Sequence, residues 1–101
     1  MGYRVRILRS AENEYTQVVD YLAHTLASPS AAQSFMNEFR RQVKLVSVHP
    51  KMHPLSHIPE LAVRGYRSAL VGRYLFLYTF DGQTVTIVHL FHQSQDYASL
   101  V

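Results

Sequence analysis

The sequence predicts an α+β domain in the order β-α-α-β-β-β, a helical hairpin packed on one face of a mainly antiparallel sheet. Three observations lead there. Residues 3–8 alternate apolar and charged side chains, as a half-buried strand does. Two stretches between residues 11 and 48 repeat apolar residues every three or four positions, with "ASPS" between them. Three β-like segments follow residue 65, punctuated by Gly72 and Asp81-Gly82. A chain of 101 residues has room for one domain, 1–101, around one modest core.

In "YRVRIL" (3–8), Tyr3, Val5 and Ile7 alternate with Arg4 and Arg6. Ser10 then suits an N-cap, with Glu12 and Glu14 near the positive end of the helix dipole. The first helix is expected over residues 11–26, where Ala11, Tyr15, Val18, Leu22 and Leu26 form one apolar face. Ser28 and Pro29 start the second, because proline's missing N–H is harmless in a first turn. It runs over 29–48 with Ala32, Phe35, Phe39, Val43 and Val46 on one stripe, and His49-Pro50 ends it. Tyr15, Leu22, Phe35 and Phe39 are expected to face the sheet.

Residues 50–61 hold three prolines and no sustained period, so they read as a loop. Strands are expected at 66–71, 73–80 and 84–91. Gly72 makes a tight turn or bulge between the first two. Asp81-Gly82, both tolerant of positive φ, make a hairpin between the last two. "RYLFLYTF" is apolar on both faces, which makes it a central strand and a core element more than a base-stacking platform.

Composition narrows the function classes. Hydrophobic residues at 48% and charged residues at 17% describe a folded globule. The lack of cysteine removes disulfides and thiolate metal sites and fits a cytoplasmic location. No secretory signal or membrane span is visible. The net charge of +3 is unevenly spread: Arg40, Arg41, Lys44, Lys51, Arg64, Arg67 and Arg73 face only Glu60 between residues 39 and 80. This pattern fits either a surface for a polyanion or acidic protein, or ordinary solvated cations.

His49, His53 and His57 are spaced by four, but Pro50 and Pro54 forbid the helix that would align them as metal ligands. No metal and no cofactor is expected, since no Gly-rich phosphate loop, catalytic triad order or glycosidase-like carboxylate pair is present. Arg64, Arg67 and Arg73 bracket the strand at 66–71, where guanidinium forks suit phosphate or carboxylate. Arg67 and Arg73 are placed close to each other across the turn. The last strand ends in "HQSQDY": His92 and Asp96 can pair as imidazole and carboxylate, with the Tyr97 phenol beside them. That cluster reads either as a strand terminus or as part of a functional face.

With these residues in view, the chain resembles the RelE/ParE superfamily, toxins of bacterial type II toxin–antitoxin modules. The resemblance runs through "SPSAAQSFMNEFRRQVKLVSVHP" and "RGYRSALVGRYLFLYTFDGQTVTIVHLFHQSQDY", with Arg67, Val71-Gly72, Tyr74, Tyr78, Ile87, His92 and Asp96 on the shared pattern. It implies two helices against a curved, mainly antiparallel sheet, and an antitoxin partner encoded by an adjacent gene and wrapped over the toxin. The cationic set Arg40, Arg41, Lys44, Arg64 and Arg67 is then expected to bind that partner. Two targets follow from the resemblance: DNA gyrase poisoned by protein contact in the ParE branch, or mRNA cut in the ribosomal A site in the RelE branch. The "VGRY…HLFH" pattern is closer to ParE, and "HQSQDY" lacks the basic residues usual in RelE-type enzymes. Were the chain an endoribonuclease, His92, Arg67, Arg73, Asp96 and Tyr97 would be its catalytic candidates. A third reading is an inactive relative that only binds its antitoxin.

Overall fold

A computed structural model describes residues 2–101. The first strand, β1 (Arg4–Ile7), leads at once into α1 (Arg9–Asp20), whose helical path continues as one π-helical turn over Tyr21–Thr25. α2 (Pro29–Val48) returns beside it. A short helix α3 (Pro59–Val63) precedes β2 (Arg67–Val71), β3 (Tyr74–Phe80) and β4 (Thr84–His92), and the chain closes with a 3₁₀ turn, Tyr97–Leu100. The sheet has the order β1-β4-β3-β2, with β1 parallel to β4 and the other pairs antiparallel. The predicted α+β order therefore holds, and β3 is an interior strand whose middle residues, Leu75, Phe76, Leu77 and Tyr78, are buried.

α2 begins as the sequence indicates: the Ala31 amide donates to Ser28 Oγ at 3.3 Å, and Pro29 occupies the first turn. α1 does not. Its N-cap is Leu8, without a side-chain cap, and Ser10 lies inside the first turn with its hydroxyl donating to the Val88 carbonyl at 2.6 Å. A serine hydroxyl in a first turn can donate to a backbone carbonyl instead of accepting from helix amides, and here the Val88 carbonyl in the middle of β4 takes it. The widened last turn is held by Leu26 N–H to Tyr21 C=O at 2.9 Å, and Ala27 then takes a φ of +49° to reverse the chain.

The loop at 50–61 differs from expectation, whereas the Gly72 turn takes one of its two expected forms. Pro59, read as a breaker inside a loop at 50–61, instead opens α3, which suits a residue with fixed φ and no N–H. Gly72 and Arg73 form a two-residue turn joining Val71 to its partner Tyr74, with Gly72 at φ +61°. The bulge lies elsewhere, between Leu77 and Tyr78 on β3, where Val88 is the extra residue on β4. In the second hairpin only Gly82 takes positive φ (+97°). Asp81 works through its carboxylate, which accepts from the amides of Gln83 and Thr84, each at 2.8 Å. Those bonds hold the Asp81 carboxyl below the usual range, the one to Thr84 most strongly.

The helices cover one sheet face. Leu22, Phe35 and Val46 pack there on Val71, Phe76, Tyr78, Val85, Ile87 and Leu90. Tyr15 and Phe39 join them, with ring centroids 4.7 Å apart, and Phe39 meets Phe76 edge-on at 5.6 Å. The opposite face is covered only in part. There Leu61 of α3, Tyr66 just before β2 and Tyr97 of the 3₁₀ turn lie over Leu75, Leu77 and Phe91. β1 is short, so the upper edge of β4 is free of strand partners. Glu14 fills that gap: its carboxylate accepts the Leu90 amide at 2.9 Å and meets His89 Nδ1 at 3.1 Å.

Candidate functional site

The end of β4 and the β2–β3 turn meet at one rim of the domain. Register places His92 opposite Tyr74, and their rings touch edge-on with centroids 5.1 Å apart. Gln93 ties the turn to this rim, its amide donating to the Arg73 carbonyl at 3.0 Å and its side chain to the Gly72 carbonyl at 2.9 Å. The His92 ring is held by Ser94: the Ser94 amide donates to Nδ1 at 3.0 Å and its hydroxyl lies 2.7 Å from the same atom. An N–H pointed at Nδ1 requires a lone pair there, so the neutral ring carries its proton on Nε2. The His92 amide in turn donates to Gln95 Oε1 at 2.7 Å.

Behind this rim lies a cavity of about 1090 Å³ between the helical hairpin and the sheet end. Leu22, Leu26, Phe35 and Leu90 give it apolar walls, with Arg73, Tyr74, His92 and Gln95 at the polar side. Burial, aided by Tyr21, pushes the Tyr74 phenol above its ordinary pKa, so it is a neutral hydrogen-bonding group at physiological pH. Glu14 and Glu38 also line the cavity, which leaves Arg73 as its one fixed cation.

Of the residues singled out as catalytic candidates, the fold brings His92 and Arg73 to one cavity and sends the others elsewhere. Arg67 sits at the far end of β2, opposite Tyr78, where its Nη1 donates to the His53 carbonyl at 2.6 Å. Tyr78 and Tyr74 are four residues apart on β3, so Arg67 and His92 are separated by roughly 13 Å along the sheet. Arg67 and Arg73 are likewise at opposite ends of β2, not close across the turn as the sequence was read. Asp96 does not pair with His92; its carboxylate accepts the Ser99 hydroxyl at 3.2 Å and shapes the 3₁₀ turn. Tyr97 is buried, stacked on Phe91 with 15° between planes and 6.1 Å between centroids.

The cations assigned to a partner divide between the two sides of the domain. Arg40, Arg41 and Lys44 are exposed on α2. Arg41 forks onto Glu38 at 2.8 and 2.9 Å, which holds the Glu38 carboxyl below its usual range. Arg64 ends α3 across the sheet, 5.3 Å over the Tyr66 ring. Arg67 belongs to a buried knot at the other sheet end: the Tyr78 hydroxyl donates to the Pro50 carbonyl at 2.8 Å, and His53 packs edge-on against the Tyr78 ring. Burial pushes the Tyr78 phenol up to about 12, with Arg67 pulling the other way, and drives the His53 imidazole below its ordinary value.

The sequence reading missed Tyr74, Gln95 and Glu14 as parts of this region. Tyr74 could have been found by counting, since a two-residue turn at Gly72 fixes its partner. Gln95 captures the His92 amide three residues back, inside a turn, whereas Glu14 captures the Leu90 amide across the fold, a role no local spacing announces.

The fold has counterparts among known proteins. The family model described as the ParE toxin of the type II toxin–antitoxin system parDE matches residues 5–97. The chain belongs to that family. It is thus the toxin component of a type II toxin–antitoxin module, as its resemblance to the RelE/ParE superfamily implied. Among solved structures, the chromosomal ParDE system of P. aeruginosa superposes with a TM-score of 0.71 at 16% identity, over 89% of this chain and 95% of that one. The RelBE2 toxin–antitoxin complex of Mycobacterium tuberculosis gives 0.59 at 26% identity, over 91% and 99%. YafQ from E. coli strain BL21(DE3) gives 0.55 at 15% identity, over 97% of each chain. No curated protein sequence matches this ParE-family toxin.

Proposed function

We propose that this ParE-family toxin inhibits DNA gyrase by protein contact and is neutralised by a small acidic antitoxin encoded beside it. The observation that carries the reading is the charge of the rim cavity. Phosphoryl transfer calls for preorganised positive charge around the developing phosphorane, and the cavity offers Arg73 as its one fixed cation, with Glu14 opposing it and Glu38 already paired to Arg41. Its apolar walls suit a protein segment better than a scissile phosphate. Support for the antitoxin comes from the exposed cations Arg40, Arg41, Lys44 and Arg64, with Arg67, which steer an acidic partner toward the domain. The P. aeruginosa and M. tuberculosis relatives were themselves solved as toxin–antitoxin assemblies.

One observation favours a second reading, mRNA cleavage on the ribosome: His92 and Arg73 share a cavity, so an imidazole for proton transfer stands near a guanidinium. Asp96 and Tyr97, turned away from His92, and Arg67, at the other sheet end, contribute little to it. The test runs purified toxin in a gyrase supercoiling reaction and in a translating ribosome extract with a defined message. Trapped, cleaved DNA with intact message supports the gyrase reading. Message cut at A-site codons with gyrase unaffected overturns it, and His92→Gln should then lower cleavage by about 10²–10⁴-fold. Inactivity in both assays, with antitoxin binding retained, marks an inactive relative. For the antitoxin, an adjacent gene product that neither co-purifies nor restores growth removes that part of the proposal.

A further inference from the structure

The sheet face opposite the helical hairpin is covered by α3 and the 3₁₀ turn at one end only, and its other end is polar. Alternation and register define it. Val5, Val85, Ile87 and Phe80 point into the helix-side core, so their neighbours Arg4, Arg6, Thr79, Thr84 and Thr86 point to the other face. Parallel pairing sets Arg4 beside Thr84 and Arg6 beside Thr86, and Thr86 in turn faces Thr79. One continuous row therefore reads Arg6–Thr86–Thr79 across three strands, with Arg4–Thr84 about 7 Å along the strands from it. Arg4 and Arg6 are exposed, and no ion pair among the described residues engages either. The nearest carboxylate in this register is Asp81, whose Oδ1 is taken by the amides of Gln83 and Thr84. Beyond Thr86 on the same face, His89 is held by Glu14.

We propose that this uncovered end of the sheet binds the sugar–phosphate backbone of duplex DNA, with Arg4 and Arg6 on phosphates and the three threonine hydroxyls as neutral donors beside them. Arginine forks and hydroxyls are the side chains that take phosphate oxygens without reading bases. The patch holds no apolar or aromatic centre of the kind a protein interface is built on. It also lacks a ring on which unpaired bases could stack, because Tyr3 packs on Phe80 on the helix side. A duplex, whose phosphates are exposed and whose bases are stacked away, fits such a patch. The choice of DNA over duplex RNA rests on the gyrase reading, since gyrase works on a DNA duplex. This surface is distinct from the rim cavity at His92.

The test is fluorescence anisotropy of the full-length toxin with a random-sequence DNA duplex and an RNA duplex of equal length, across salt concentrations. The DNA duplex should bind at low salt. The double variant Arg4→Gln, Arg6→Gln should weaken binding at least tenfold and reduce the slope of log K against log salt by about 2, as two lost phosphate contacts require. Circular dichroism checks that the variant is folded, and Thr79→Val with Thr86→Val, which keeps the β-branched shape, should weaken binding more mildly. Gln33→Ala with Asn37→Ala, exposed and uncharged on the helix side, should leave it unchanged. Absence of duplex binding at low salt, a folded arginine variant that binds equally well, or tighter binding of RNA would each overturn the proposal. Supercoiling assays separate the two ideas: a toxin that inhibits gyrase yet binds no duplex keeps the gyrase reading and removes the patch. A toxin that binds DNA through Arg4 and Arg6 yet leaves gyrase untouched does the reverse.

Discussion

Replacing Tyr78 with phenylalanine removes one hydroxyl from the most enclosed polar contact in the domain. The ring stays, so the packing against Phe76 and His53 is preserved. What is lost is the bond from the phenol to the Pro50 carbonyl, in a residue with no exposed surface. A buried carbonyl left without its donor costs about 1–3 kcal/mol at neutral pH. For a domain of this size each kcal/mol lowers the melting temperature by about 4–8 °C. The pH dependence supplies a sharper check. Burial raises the folded-state phenol from the ordinary 10.0 to about 12. Between those values the unfolded chain has released the Tyr78 proton and the folded chain has not, so stability falls as pH rises, by about 3 kcal/mol across the window. Tyr78→Phe has no such loss. Urea titrations at pH 7, 9, 10.5 and 11.5 should therefore show the variant less stable than the parent at first, with the gap closing above pH 10. A gap that stays constant through pH 11.5 would refute the buried-phenol argument, and no deficit at pH 7 would refute the hydrogen bond.

Three more perturbations test other parts of the fold. Phe39→Ala opens a cavity among Tyr15, Phe35 and Phe76 and should cost about 3 kcal/mol in chemical denaturation, the low end for a partly exposed ring; an unchanged midpoint would remove Phe39 from the core. Glu14→Ala strands the Leu90 amide at the open edge of β4 and should cost about 1–3 kcal/mol, whereas Glu14→Gln keeps an acceptor and should recover most of it. Equal losses in the two variants would mean that charge, not hydrogen bonding, matters there. His53, with its imidazole driven down by burial, takes up a proton in the unfolded chain before it does in the folded one, so stability drops as pH falls below about 6.5. Thermal melts of His53→Gln at pH 7.5 and 5.5 should show a smaller drop than the parent, and an equal drop would contradict the assignment.

The helical hairpin was legible because apolar residues such as Phe35, Phe39 and Val46 repeat at helical spacing and Ser28-Pro29 announce a start. β3 was legible because both its faces are apolar. Periodicity carries no information on which strand a strand pairs with, so the parallel union of β1 and β4 could not be read from "YRVRIL" alone. Prolines at 50, 54 and 59 look alike in sequence, although only Pro59 stands at the head of a helix. At the rim, His92 and Arg73 were nominated from side-chain chemistry and do share a cavity. Asp96 was nominated from spacing that assumed a regular path after His92, and the turn held by Ser94 and Gln95 breaks that path.

The joining of β1 to β4 has a consequence for the birth of the molecule. The contacts that seat the amino-terminal end, Ser10 to Val88 and Glu14 to Leu90, span 78 and 76 residues of a 101-residue chain. Such closures carry a large loop-entropy cost and come late in folding. On the ribosome, the first strand and the head of α1 have no place to dock until β4 has cleared the exit tunnel. A toxin assembled this way stays unmade at least until β4 has been translated, because its opening residues close only on its last strand.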